Sequence, residues 1–145
     1  MEILFRGKRI DTGEWVYGDF YRKCGITGLV LDYMISARDG MAYPVIPETV
    51  GQYTGHDDKN GNRIFDGDVV AVDHDFIETH SRGNVEDGTL EVFNEYYGGI
   101  HEIGEVKFER AAFVVQEWDL GIFEDSEIEV IENIHDNPEL MEVKE

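Results

Sequence analysis

The stretch from residue 53 to residue 73, YTGHDDKNGNRIFDGDVVAVD, spaces its acids and amides as a calcium loop does. An EF-hand loop needs ligands at its first, third and fifth positions, a glycine at the sixth and a glutamate at the twelfth. Its oxygens must wrap one ion around a sharp turn. Counted from Asp58, the first three ligand positions hold Asp58, Asn60 and Asn62. The glycine position then holds Arg63, a cation aimed at the site, and the last holds Val69, which cannot coordinate. Counted from Asp57, the third position is Lys59. Neither register suits calcium. Asn60-Gly61 reads instead as a hairpin turn with positive φ at both residues, and Asp66-Gly67 as a second turn ahead of a valine-rich strand. The acids are expected to bond nearby backbone.

The other metal-like group is His74-Asp75 with Glu78-Thr79-His80. It lacks the H-E-x-x-H spacing that sets two imidazoles and a general base on one helical face. Glu127 and Glu129 alternate with Ile128 and Val130, which describes the solvated face of a strand. Neither a Walker-type phosphate loop nor a G-x-S-x-G elbow is present. Cys24, the one cysteine, follows Arg22 and Lys23 and reads as a plain thiol. Trp15, Tyr17, Phe20 and Tyr21 could stack single-stranded bases, but no basic groove accompanies them, and packing accounts for them better. The residues therefore name no catalytic, cofactor-binding or metal site, and no enzyme activity is expected.

Charge narrows the partners. The chain of 145 residues carries 32 acids against 12 Lys and Arg, a net charge of −20. Residues 1–70 hold 11 acids and 8 bases, whereas residues 71–145 hold 21 acids and 4 bases. Counterion release on nucleic acid needs cations, so direct binding to DNA or RNA is not expected. Two readings of the acidity remain: a solubilising surface, or an imitation of DNA that occupies a basic protein. The chain opens MEILFRGKR, without the pattern of a secretory leader, and the apolar runs are too short to span a bilayer. With a single cysteine this points to a cytoplasmic protein away from membranes.

The elements that must position these residues are strands. Valine and isoleucine number 27 against 11 leucines and alanines, and 16 glycines supply turns. Strands are expected at 2–6 and 14–20, joined through Asp11-Thr12-Gly13, at 26–31, and around Tyr43. Pro44 and Pro47 make the last an edge or a connection. Val69–Val72 reads as a buried strand. Val106 and Phe108 alternate with Glu105, Lys107 and Glu109, so 104–118 is expected to form a hairpin turning near Glu109-Arg110. Ile131 breaks the period of EIEVIENI, which predicts a bulge. Pro138 could open one helical turn in PELM. Within 74–103, TLEVFNEY is a possible strand of an inserted hairpin, Gly98-Gly99 a turn and the rest a loop. The expected architecture is all-β: one domain over 1–145, short antiparallel strands in a compact barrel, SH3-like, or a sandwich, with at most short helical turns and a variable insertion at 74–103.

Several segments together resemble the YopX family of small phage and prophage proteins. These are Gln52 to Gly55, Asp58 to Gly61 and Gly67 to Val70, followed by EVIENIHDNPELM over Glu129 to Met141. The opening EILFRGKRIDTGEWVYGDF, with Phe5-Arg6 and Tyr17-Gly18-Asp19, fits the same pattern. The resemblance implies a β-rich fold, a phage or prophage origin and no assigned activity; segments 20–46 and 74–103 lie outside it. The expected function is a non-enzymatic module that binds a host or phage protein. The alternatives are an acidic DNA mimic that inhibits a host nucleic-acid-binding protein, and a small metal-dependent hydrolase built on His74, Asp75 and His80.

Overall fold

The computed structural model describes residues 2–84, 86–109 and 112–136. Among these residues eleven strands form two antiparallel sheets, and the chain passes from one to the other at Asp66-Gly67. The first sheet contains β1 (Phe5–Lys8), β2 (Trp15–Cys24), β3 (Val30–Ala37), β4 (Ala42–Pro44), β5 (Gly51–Asp57) and β6 (Arg63–Phe65), in the order β4-β3-β2-β1-β5-β6. The second contains β7 (Asp68–Arg82), β8 (Glu91–Glu109), β9 (Ala112–Val115), β10 (Trp118–Asp119) and β11 (Ile128–Asn133), in the order β10-β9-β8-β7-β11. Both sheets have free edges, so of the two expected architectures this is the sandwich-like one and not a closed barrel. Among the described residues, helix is limited to 3-10 turns at Pro47–Thr49, Leu120–Ile122 and Asp125–Glu127. No helix among the described residues is long and apolar enough to cross a membrane.

The main core joins Val70, Val72, Ile100, Val106, Val115 and Ile128 of the second sheet to Ile64 of β6, with Leu120 and Phe123 closing it. As the apolar run predicts, Val69, Val70 and Val72 are fully buried. A smaller cluster, Leu4, Tyr53 and Phe65, belongs to the first half of the chain. β4 lies at an edge, where Pro44 leaves no needed donor unpaired. The predicted bulge is present, since the β11–β7 register shifts between Val130 and Glu132.

Other expectations need correction. The first strand is Phe5–Lys8 and not 2–6, because the Arg9–Glu14 and Gly13–Arg9 backbone bonds close the hairpin further along. Residues 26–29 are a turn, with Gly28 at φ 81°, and β3 starts only at Val30. Val106 is buried but Phe108 is exposed, packing edge-on against Phe113 with ring centroids 5.0 Å apart. Glu127 lies in a 3-10 turn and not in a strand. Gly61 has φ 81°, but Asn60 keeps negative φ. The turn from Asp58 to Gly61 is therefore followed by one left-handed glycine, a hairpin form other than type I′. The largest correction concerns 74–103, which is mostly strand: β7 and β8 pair from Asp75 and Gly99 out to Arg82 and Glu91. Gly98-Gly99 is not a turn but lies within β8, beside a bulge in which Tyr97 and Gly98 oppose Phe76 and the register shifts between Asp75 and Ile77. The turn at Glu109-Arg110 runs into Arg110, which lies outside the described residues, as does the helical turn at Pro138, although Glu109 does pair with Ala112.

Candidate functional site

The residues of the calcium-like stretch serve the fold. Asp58 is buried; its Oδ1 accepts the backbone N–H groups of Asn60 at 2.9 Å and Asn62 at 2.8 Å. Its Oδ2 accepts the Val130 N–H at 2.9 Å, and Lys59 N–H donates to the Ile128 carbonyl at 2.9 Å. Burial pushes this carboxyl upward, but the N–H groups of Val130, Asn62 and Asn60 outweigh it and hold the group below its ordinary value. The loop thus fastens the first sheet to the edge of β11.

A second fastening lies beneath it. Arg6 and Asp68, both buried, form an ion pair at 2.8 Å between β1 and β7, and Asp68 also accepts the Phe65 N–H at 2.8 Å. The Arg6 guanidinium lies 4.5 Å from the Trp15 ring centroid and 4.8 Å from that of Phe65. Trp15 donates to Asp136 at 3.0 Å, and Lys8 pairs with the same carboxylate. Burial raises the Asp136 carboxyl, but Lys8, Trp15 and Asn133 together hold it at about 2. Tyr17 packs against Phe65, ring centroids 5.6 Å apart. Trp15 and Tyr17 therefore pack the sheet junction instead of forming a stacking platform. A cleft of about 570 Å³ opens here, lined by Arg6, Tyr17, Arg63, Asp68, Glu132 and Asn133 among others. Three of its four charged side chains are already paired, since Arg6 meets Asp68 and Arg63 meets Glu2, each at 2.8 Å.

The third feature is the outer half of the β7–β8 hairpin. From Asp73 to Gly99 no described residue is buried, so the two strands leave the body as a ribbon wet on both faces. At about 3.3 Å per residue, the nine residues from His74 to Arg82 span roughly 30 Å. One face continues the core outward. Val72 and Ile100 are buried; His74 follows, its ring 6.1 Å from Phe123 and 4.8 Å from Phe76. Beyond lie Phe76, Tyr97, Glu78 opposite Glu95, His80 opposite Phe93, and Arg82 opposite Glu91. Phe76, Ile77, Phe93, Tyr96 and Tyr97 are all 40–60% exposed. Between Asp73 and Glu102 the chain holds eight acids and one base, Arg82.

The candidate metal ligands spread along this ribbon. His74 Nδ1 meets Glu127 at 2.6 Å, whereas Asp75 meets His101 Nε2 at 3.3 Å. His80 lies 3.2 Å from Glu95 and stacks on Phe93, centroids 5.4 Å apart. A cleft of about 370 Å³ is lined by His74, Asp75, Phe76, Ile77, Glu78 and Tyr97, and His80 is not among its walls. Among the described residues, no three His, Cys, Asp or Glu side chains gather as metal ligands. Glu129 pairs with Lys59 at 2.5 Å, and Cys24 is exposed. Sequence reasoning missed the exposed rings of the ribbon. The signal was the alternation in DFIETHSR, which has no wholly apolar face and so reads as loop, whereas EVFNEY reads as a possible strand without showing which of its rings are exposed.

Compared with known proteins, residues 4–142 match the family described as YopX protein. No curated protein matches. Among solved structures, the crystal structure of protein EF1440 from Enterococcus faecalis is similar, with 21% identity and a TM-score of 0.49. That match covers 97% of this chain and 99% of the other.

Proposed function

The chain belongs to the YopX family, and from that membership we propose that it is a phage- or prophage-encoded protein that works by contact with another protein and not by catalysis. One observation carries the reading: the β7–β8 ribbon holds Phe76, Ile77, Phe93, Tyr96 and Tyr97 in the solvent, outside any core. Exposed aromatic and apolar side chains grouped on one element mark interaction surfaces, since burial there lowers the free energy of a complex and not of the monomer. The imitation of DNA is the weaker reading, because rings interrupt the carboxylates along the ribbon face. A photo-crosslinking residue at Val92, compared with one at Tyr21 of the first sheet, tests the proposal in a cell carrying the gene. A discrete adduct from Val92 and none from Tyr21 is the expected result. Equal adducts from both positions, or none from Val92, would overturn it.

A further inference from the structure

The cleft at the root of the ribbon has the chemistry of a receptor for a cationic side chain. Its walls combine two rings, Phe76 and Tyr97, with Ile77 and the carboxylates of Asp75 and Glu78. The ribbon already shows how such a surface treats a cation. Arg82 lies with its guanidinium carbon 5.1 Å from the Phe93 centroid while its Nε donates to Glu91 at 2.9 Å. A ring face and a carboxylate edge satisfy a planar guanidinium together, one by its quadrupole and the other by charge-assisted hydrogen bonding. Nearer the root the same ingredients recur with no arginine or lysine among them: Tyr97 donates to Glu95 at 2.8 Å, Glu78 stands opposite Glu95, and the nearest group able to carry positive charge is His80, whose Nε2 lies 3.4 Å from Glu78 and 3.2 Å from Glu95.

Resting on the reading of this ribbon as a contact surface, we propose that the cleft at its root receives an arginine side chain from a basic protein partner. The stem would lie along Phe76, and the guanidinium would reach Tyr97 and Glu78 on the same face. Charge selects this occupant. With a net charge of −20 on the chain, a second copy, a nucleic acid or an anionic membrane would be repelled from a ribbon holding eight acids and one base. Arginine suits the site better than lysine because its flat, weakly hydrated head stacks on rings.

The test uses the full isotope-labelled chain and three short probe peptides: arginine–glycine repeats, their lysine counterpart, and their citrulline counterpart, which keeps the shape and loses the charge. NMR titration should show the arginine peptide shifting the amides of residues 74–78 and 95–98, the lysine peptide shifting them less, and the citrulline peptide not at all. Phe76→Ala and Glu78→Gln should each weaken binding by about tenfold, whereas Ser81→Ala on the opposite face should not. Equal binding of the citrulline peptide would overturn the proposal. So would shifts spread over the whole acidic surface and unchanged by Phe76→Ala. If these fail while crosslinking from Val92 still yields a discrete adduct, the contact surface stands and only its preference for arginine falls.

Discussion

Asp58 shows how close the chemistry of a ligand lies to that of a staple. Its oxygens face inward to three backbone N–H groups, two in its own loop and one on β11. Asp58→Ala would leave those donors without an acceptor, and we expect a loss of about 2–4 kcal/mol in denaturant unfolding. Asp58→Asn, which keeps one carbonyl oxygen, should lose less. Asp136 offers a pH prediction. Its carboxyl is held at about 2 in the folded protein, below the ordinary 3.8, so the folded state binds fewer protons than the unfolded state between those values. Its stabilisation is complete above pH 4 and disappears as pH falls towards 2. Because the side chain is 37% exposed, solvent screening limits the effect to about 1 kcal/mol. Asp136→Asn should flatten that part of the acid-unfolding curve. The sequence made the turn role of Asp58 legible through Asn60-Gly61. It could not reveal the Val130 partner, 72 residues away, because no local pattern encodes a contact across two sheets.

At the scale of elements, legibility followed burial. Val69–Val72 was readable because a buried strand is apolar throughout, and Ile131 because a bulge breaks a strong period. The ribbon was readable only in part, as an inserted hairpin with one strand at TLEVFNEY, since a strand pair wet on both faces needs no apolar face at all. A bulge at Tyr97 and Gly98, flanked by Gly99, lies where the ribbon leaves the body. Gly98 has φ 115°, where a β-branched residue is strained, and a Cβ on Gly99 would lie 2.7 Å from the His74 carbonyl oxygen. Gly98→Val is therefore expected to loosen the ribbon and leave the core intact. Hydrogen exchange should show amides at 77–82 and 91–96 losing protection while those of Val69–Val72 keep theirs. Uniform protection in the variant would mean that the bulge does not set the geometry of the ribbon.

For the whole molecule, the uneven charge of the sequence falls almost along the structural division. The first sheet ends at Phe65 and the second begins at Asp68, close to the point where net charge changes from −3 over 1–70 to −17 over 71–145. Self-repulsion on the second half destabilises the compact state and is screened by salt, with a Debye length of about 8 Å at physiological ionic strength. The melting temperature should rise as sodium chloride goes from very low to physiological concentration. A variant with Glu78, Glu91 and Glu95 all changed to Gln should rise less. A melting temperature independent of salt in the unaltered chain would show that the acids lie too far apart to repel. The all-β class was legible at this scale from valine, isoleucine and glycine content, but the choice of two sheets over a barrel was not, because composition does not record where edges are left open.

The single passage between the sheets at Asp66-Gly67 has a consequence for synthesis on the ribosome. All six strands of the first sheet emerge before any of the second, and they carry Arg6 and Asp58 without their partners Asp68 and Val130. A buried guanidinium has no counter-ion until Asp68 leaves the exit tunnel, and the Asp58 loop has no strand to hold until residue 130 does. The amino-terminal half must therefore wait, loosely assembled, for nearly the whole chain, while the β7–β8 hairpin, whose contacts are local, can zip as soon as it appears. The part expected to meet a partner is thus complete before the part that supports it.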